Sequence, residues 1–565
     1  MLRWSLLLPL PLLFLLGCND PGRGPGPNRG DDDTADDDTA DDDDSVGDDD
    51  DATFSIPPGD PNFTTAHSLG SGNCSPCHED LVAPDGSDAS FLADWGATMM
   101  GNAARDPYFR ARLASEVVRN PDAAPVIEAK CARCHTPMGS VQDLADGGDG
   151  TLLDDGLLDP AHPLFDAAIE GVSCTVCHRI EDTSDLGTAA GSSGSYTILP
   201  NDRIYGPFLD PVTGPMANNL GVQVLGSAHQ QDSSLCSVCH DLATPVLGAD
   251  GLPTGAEFQE QAIYSEWAAS DFAGQSSCQD CHMPAVDGMD AASRPPWIEP
   301  RDDVNRHWFV GGNTLMLGIL RDNAAALGAT SQGFGTTIDR TRANLQSSAQ
   351  VTIQAPSRNG GQLDFDVRVT SATGHKLPAG YPTRRVWLHV QVDDGNGIVW
   401  ESGAPATNGA IAGLDQDSDP LTVEPHHPEI TDASQVQVWE AVAEDTSGDA
   451  EYSLMRSAAY RKDNRILPAG ADPSSGPDAV RPVGAAASDP DFLGGEDTVR
   501  FRLDGLPSSG TLTVTVTLRY QTLSYVAVED LRQDASDPTV AAFLALYDVS
   551  PDRAGEVIGQ ATLAL

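Results

Sequence analysis

Cys74-Ser-Pro-Cys77-His78 opens a pattern that recurs at Cys131-Ala-Arg-Cys134-His135, Cys174-Thr-Val-Cys177-His178, Cys236-Ser-Val-Cys239-His240 and Cys278-Gln-Asp-Cys281-His282. Ten of the eleven cysteines fall in these five units, and each unit ends in histidine. Zinc ribbons pair Cys-x-x-Cys units without demanding histidine at the next place, and redox disulfides do not repeat five times. Two thiols three positions apart can instead add to the two vinyl groups of one haem, which brings the next imidazole under the iron. The pattern predicts five covalently bound haem c groups, with His78, His135, His178, His240 and His282 as the proximal iron ligands.

From Cys74 to His282 the chain runs about 209 residues, or roughly 42 per haem, near the length below which a chain needs help to fold. The cofactors are therefore expected to supply much of the core. Short helices are expected from Pro107 to Val118 and from Pro125 to Ala132, with Gly-, Pro- and Ser-rich loops elsewhere. An iron's second axial ligand decides whether it carries electrons or works on a bound substrate. His67, His162, His229 and His307 lie near a unit or just beyond the last one, and are candidates for that position. Met138 and Met283 follow their units too closely to reach the opposite haem face and read as packing residues.

Arg3 and the apolar run Leu6 to Leu16 have the layout of a signal peptide over residues 1–17, too short to span a bilayer. Leu15-Leu16-Gly17-Cys18 resembles the bacterial lipobox, which makes Cys18 the expected lipid-bearing residue and places the protein in the cell envelope, at the outer membrane. Residues 18–61 include two Asp-Asp-Asp-Thr-Ala copies and further Asp runs with almost nothing to bury, so they read as a disordered tether. About forty flexible residues span roughly 35 Å on average. The Asp runs lack the Gly and Glu pattern of a defined calcium loop. The formal net charge is −52, which argues against nucleic acid as a partner, because phosphate binding needs clustered Lys and Arg.

Residues 62–345 read as the pentahaem domain. From residue 346 to 565 the texture changes to period-two alternation: Leu363, Phe365, Val367, Val369; Val386, Leu388, Val390, Val392; Val499, Phe501, Leu503; Leu512, Val514, Val516, Leu518. Turn signals such as Asp394-Gly395-Asn396-Gly397 join such runs, which predicts an antiparallel β-sandwich. The fold class is thus α+β and multidomain. On this alternation His389 faces the polar side and is expected to be exposed, while His426 and His427 read as loop residues. Thr373-Gly-His375-Lys-Leu-Pro-Ala-Gly-Tyr-Pro-Thr-Arg384-Arg385 is either a solvated hairpin loop or a place where His375 ligates or flanks a haem and Lys376, Arg384 or Arg385 neutralise propionates.

Trp95-Gly-Ala-Thr-Met-Met100-Gly-Asn-Ala-Ala-Arg-Asp-Pro-Tyr108, Glu170-Gly-Val-Ser-Cys174, Cys278-Gln-Asp-Cys281-His282-Met283-Pro284 and His307-Trp-Phe-Val-Gly-Gly-Asn313 resemble the multihaem cytochrome c-554 superfamily, which also includes hydroxylamine oxidoreductase. The resemblance covers roughly residues 65 to 315. In that family a Ser-Met-His segment supplies a distal histidine. Here Thr98-Met99-Met100 stands in its place, so the resemblance implies Met100 as the ligand and one His/Met haem. Gly374-His-Lys-Leu-Pro378 also resembles a loop that follows the haem region in related multihaem proteins. The resemblance implies mainly bis-histidine haems in close-packed pairs and electron transfer between redox proteins or other cytochromes. The alternative is a multihaem oxidoreductase acting on a small nitrogen or sulfur compound. All five units ending in His favours the carrier, since an open catalytic iron is often marked by a variant unit.

Overall fold

Asp106 caps the first long helix, α1 (Pro107–Arg119), by accepting from the backbone N–H groups of Tyr108 (2.9 Å) and Phe109 (3.4 Å), and Pro107 occupies the first turn, where its missing N–H costs nothing. The following helices are α2 (Ala124–His135) and α3 (Pro137–Asp146); α2 stops at Thr136, before Pro137. These helices run longer than the sequence suggests, because α2 extends through the second Cys-x-x-Cys-His unit. The computed structural model describes residues 55–565. The signal segment, Cys18 and the tether up to residue 54 lie outside the described residues. From Ile56 on the chain is packed: Ile56 is buried and its N–H donates to Ala326 O, and Arg105 Nη2 donates to Pro58 O. The expected tether boundary at residue 61 is therefore some five residues late, since Ile56 has apolar surface to bury.

A β-hairpin, β1 (Asp241–Leu247) and β2 (Pro253–Ala262), separates the fourth unit from the fifth. Helices α4 (Thr314–Asp322) and α5 (Phe334–Ser347) then lead into the strand-rich half. There β3 (Ala349–Asn359), β4 (Gln362–Ser371) and β8 (Glu496–Leu503) form most of a four-stranded sheet. A seven-stranded sheet contains β5 (Arg385–Asp393), β6 (Ile398–Ser402), β7 (Val438–Glu444), β9 (Thr513–Gln521) and β10 (Glu556–Ala564). Pairing is antiparallel throughout these strands, and the two-residue strand Glu429–Ile430 joins β8 in parallel. The predicted alternating residues form one apolar cluster, with Leu363, Phe365 and Val367 of one sheet and Val390, Val514 and Val516 of the other all at or below 1% exposure.

The strand-rich half departs from the expected all-β reading. Helices α6 (Tyr525–Leu531) and α7 (Pro538–Val549) are inserted between β9 and β10, and they pack on α1. Phe543 meets Tyr108 edge-on at 5.4 Å, and Val540, Phe543 and Leu544 belong to the same core as Leu113 and Ile127. Burying a Phe of this kind is worth roughly 1.5–3 kcal/mol. Arg112 (4% exposed) pairs with Asp530 at 3.2 Å, and Arg119 pairs with Asp530 at 3.0 Å and Asp534 at 2.7 Å. The described residues, 55–565, accordingly belong to one compact unit. Among the described residues no helix is long and apolar enough to cross a membrane.

His389 corrects a second expectation. It is 9% exposed and its Nε2 lies 2.9 Å from Glu401 Oε1 on β6. Alternation does place it on the face opposite the core, but that face is covered too: Glu401 of β6 lies against His389, and Ile411, Leu414, Val436 and Val438 pack on Trp387, two positions before it. His426 is in a loop as read, yet it is buried (4% exposed): Nε2 lies 2.9 Å from Asp489 Oδ2, and Nδ1 accepts from Gln437 and Asn464.

Candidate haem-binding cavity

Each Cys-x-x-Cys-His unit sits on a helical turn, at Ser75–His78, the end of α2, Cys174–Cys177, Ser234–His240 and Cys278–His282. Positions i, i+3 and i+4 of a helix share one face, so both thiols and the imidazole of a unit project together. All ten cysteines and all five histidines of the units line one continuous cavity of about 1140 Å³ with predominantly apolar walls. That is larger than the roughly 300–1,000 Å³ of a pocket for a single small ligand. None of the ten cysteines is in a disulfide. Thiols of different units lie close enough to shift one another's protonation: Cys74 with Cys174, Cys134 with Cys239, and Cys236 with Cys278. The first unit therefore meets the third, the second meets the fourth, and the fourth meets the fifth.

The histidines are held as metal ligands are. Nδ1 of His78 lies 2.9 Å from Ala291 O, that of His135 3.2 Å from Ala103 O, that of His178 2.6 Å from Tyr205 O, and that of His282 2.5 Å from Val310 O. A backbone acceptor at Nδ1 fixes the proton there and leaves the Nε2 lone pair for a metal. Burial holds His135, His240 and His375 at about 4 and His307 at about 3, so these imidazoles are neutral at neutral pH, as ligation requires. Phe109 stacks on His135 at 3.7 Å, and Phe91 lies between His78 (5.6 Å) and His307 (4.5 Å).

Two further histidines enter the cavity wall, and each faces a proximal one. His307 lies 6.4 Å from His178 between ring centroids at an interplanar angle of 26°, and His375 lies 6.3 Å from His282 at 21°. Nδ1 of His307 is bonded to Asn305 O (3.1 Å) and that of His375 to Lys376 O (3.0 Å). Two imidazole nitrogens about 2 Å either side of one ion put the ring centroids roughly 6 Å apart. These spacings, the apolar walls and the paired thiols all fit haem.

Long-range contacts hold both histidines. Arg306, next to His307, is paired with the buried Asp94 at 2.7 Å, and Arg340 meets the same carboxylate at 3.0 Å. Beside His375, the Lys376 side chain is fully buried and reaches Asp463 at 2.7 Å, while its N–H donates to Glu266 Oε2 at 3.0 Å. Arg465 joins Asp463 and Glu266, and Leu377 and Ile466 exchange backbone hydrogen bonds at 2.9 Å. Gly380 takes φ +70°, a turn that a side chain would strain. Of the three cations expected at propionates, only Arg384 lines the cavity. Lys376 is spent on Asp463, and Arg385 on Asp417 at 2.7 Å and Gln521. Asp463, Arg465 and Glu266 were not legible as site residues; the one signal for Asp463 and Arg465 is the charge-dense Arg461-Lys-Asp-Asn-Arg465 run, and Glu266 has none.

Met100 lines the cavity together with Met99, and Met283 lines it too, whereas Met138 is fully buried in a separate apolar cluster. His67, His162 and His229 do not line the cavity. His67 is buried with Nδ1 2.9 Å from Gln142 Oε1, and His162 Nδ1 accepts from Leu164 N–H. Both ring nitrogens of His229 are engaged, Nδ1 with Ser227 Oγ at 2.7 Å and Nε2 with Ile180 O at 3.0 Å.

No family model and no curated protein matches the chain. Among solved structures it is similar to the penta-heme cytochrome c552 from Thermochromatium tepidum, with a TM-score of 0.47 and 16% sequence identity over 89% of this chain and 100% of that one.

Proposed function

We propose that the chain is a pentahaem c-type cytochrome that transfers electrons between redox partners in the cell envelope, anchored by a lipid on Cys18 at the outer membrane, with its two large sheets packed as a β-sandwich. The observation that supports this most is the meeting of all five Cys-x-x-Cys-His units in one cavity, with thiols of different units close to one another. When bound, each haem supplies a one-electron iron couple. The thiols would hold it covalently, the five proximal imidazoles would ligate the iron, and His307 and His375 would complete two of the irons. A pyridine haemochrome assay on fully matured protein is expected to give five haems per chain; four or fewer would sink this reading.

One observation favours an oxidoreductase as the second reading. Beyond the five proximal histidines, the cavity wall supplies only two more imidazoles. If Met100 ligates one further iron, the oxidised protein is expected to show a methionine-to-iron charge-transfer band that disappears in Met100→Ala. An unchanged spectrum would return Met100 to packing, and carbon monoxide or nitrite binding by the unaltered holoprotein would then identify an open iron.

A further inference from the structure

Glu260 lies on β2, where Phe258, Glu260 and Ala262 share the buried face at 3%, 3% and 4% exposure. The ladder with β1 slips at this residue: Gln261 pairs with Leu242 and Gln259 with Ala243, so Glu260 is the extra residue of a bulge. A bulge re-aims its side chain. Here it puts a carboxyl group in the wall of the cavity, and the bulge is tied to the second unit through Ser193, whose O accepts from Lys130, next to Cys131, and whose Oγ accepts from the N–H of Ala243, the partner of Gln259.

The carboxyl group has little to hold its charge. Its one hydrogen bond is from Gln261 Nε2 to Oε1, at 3.4 Å, and no cation pairs with it among the described residues. The groups facing it are Glu116 of α1, Lys130 of α2, Tyr381 and Tyr460. Tyr460 donates to the backbone oxygen of Glu260, not to its carboxyl, and Lys130 Nζ donates to Ser193 O. Glu116 differs in kind, since it accepts from Ser453 Oγ, Leu454 N–H and Met455 N–H. Burial, with Glu116 adding to it and Lys130 opposing, pushes Glu260 up to about 7.

Resting on the haem reading above, we propose that Glu260 is a proton acceptor coupled to reduction of the haem attached at Cys131 and Cys134. A redox partner supplies one electron, ferric iron becomes ferrous, and a solvent proton binds the Glu260 carboxylate to give the neutral acid. The charge of the pair is unchanged, which matters because an added negative charge beside a buried carboxylate is poorly screened. Reduction raises the proton affinity of Glu260, so the potential of that haem falls as pH rises between the acid's pKa in the oxidised and reduced states. The slope approaches about 59 mV per pH unit for one electron and one proton.

The test is a spectroelectrochemical titration of holoprotein between about pH 5 and 9, with haem content assayed on the same sample. One haem of the unaltered protein is expected to show the falling potential, and Glu260→Gln is expected to flatten it with five haems still bound. A slope that persists in Glu260→Gln, or its absence from the unaltered protein, overturns the proposal. If Glu260→Gln fails to fold, infrared difference spectra of the unaltered protein decide: a protonated-carboxyl band should appear on reduction and shift with isotope-labelled glutamate. A band that does not shift belongs to a propionate and overturns the assignment. Fewer than five haems in the unaltered sample would instead count against the haem reading itself.

Discussion

Replacing His375 with alanine is expected to turn one low-spin haem in five into a species that binds carbon monoxide on reduction. Haem content should not change, because the thioethers at Cys278 and Cys281 do not depend on the distal side. The expectation follows from the 6.3 Å separation of His282 and His375 and from the backbone acceptors that turn both Nε2 atoms free of other bonds. It also follows from how firmly the loop is held. Lys376 is fully buried against Asp463, so the segment carrying His375 cannot shift without exposing or unpairing that ion pair. A companion variant, Asp463→Ala, should loosen the same imidazole and give partial carbon monoxide binding. Carbon monoxide stoichiometry identical to that of the unaltered protein in His375→Ala would show that the histidine ligates nothing.

Asp530→Ala is expected to destabilise the protein by about 3 kcal/mol, because it removes the nearer of the two buried carboxylates that pair with the Arg112 guanidinium and leaves only Glu116, at 3.9 Å. Arg112 is 4% exposed and Asp530 8% exposed, and Asp530 also holds Arg119 at 3.0 Å. The pair bridges α1, beside the second haem unit, to α6, so its loss should lower the unfolding midpoint of the helical and strand-rich halves together. Circular dichroism in the Soret and far-ultraviolet regions would follow both halves. The double variant Arg112→Met with Asp530→Leu should recover most of the loss, since apolar residues of similar volume can replace a buried pair. Two separate transitions, or a loss under 1 kcal/mol, would mean that this contact does not couple the halves.

The chain's own pattern carried far in two respects. Cys-x-x-Cys-His is chemistry at fixed short spacing, so a helical turn suffices to bring its thiols and imidazole together wherever the unit occurs. The alternation from Leu363 to Val369 and from Val386 to Val392 is equally local, and each run became a strand with the expected face inward. The departures all depend on what packs from a distance. His389 obeys the alternation but is buried against Glu401 of β6, twelve positions later. Lys376 and Arg385 look like free cations in an acidic chain until Asp463 and Asp417 are brought to them.

The distal positions divide in the same way. Nearness in sequence to a haem unit drew attention to His67, His162 and His229, yet the cavity wall does not include them. His375 faces His282 from the far side of the cavity, and His307 faces His178 across two intervening units. What the sequence by itself determined is the set of five Cys-x-x-Cys-His units, the shared face of each unit's thiols and imidazole, and the change from helices and loops to long strands, because these are set by the geometry of neighbouring residues. Only the tertiary structure decided which imidazoles oppose one another, which cations keep their charge free and which carboxyl group enters the cavity, because each depends on the placement of segments far apart in the chain.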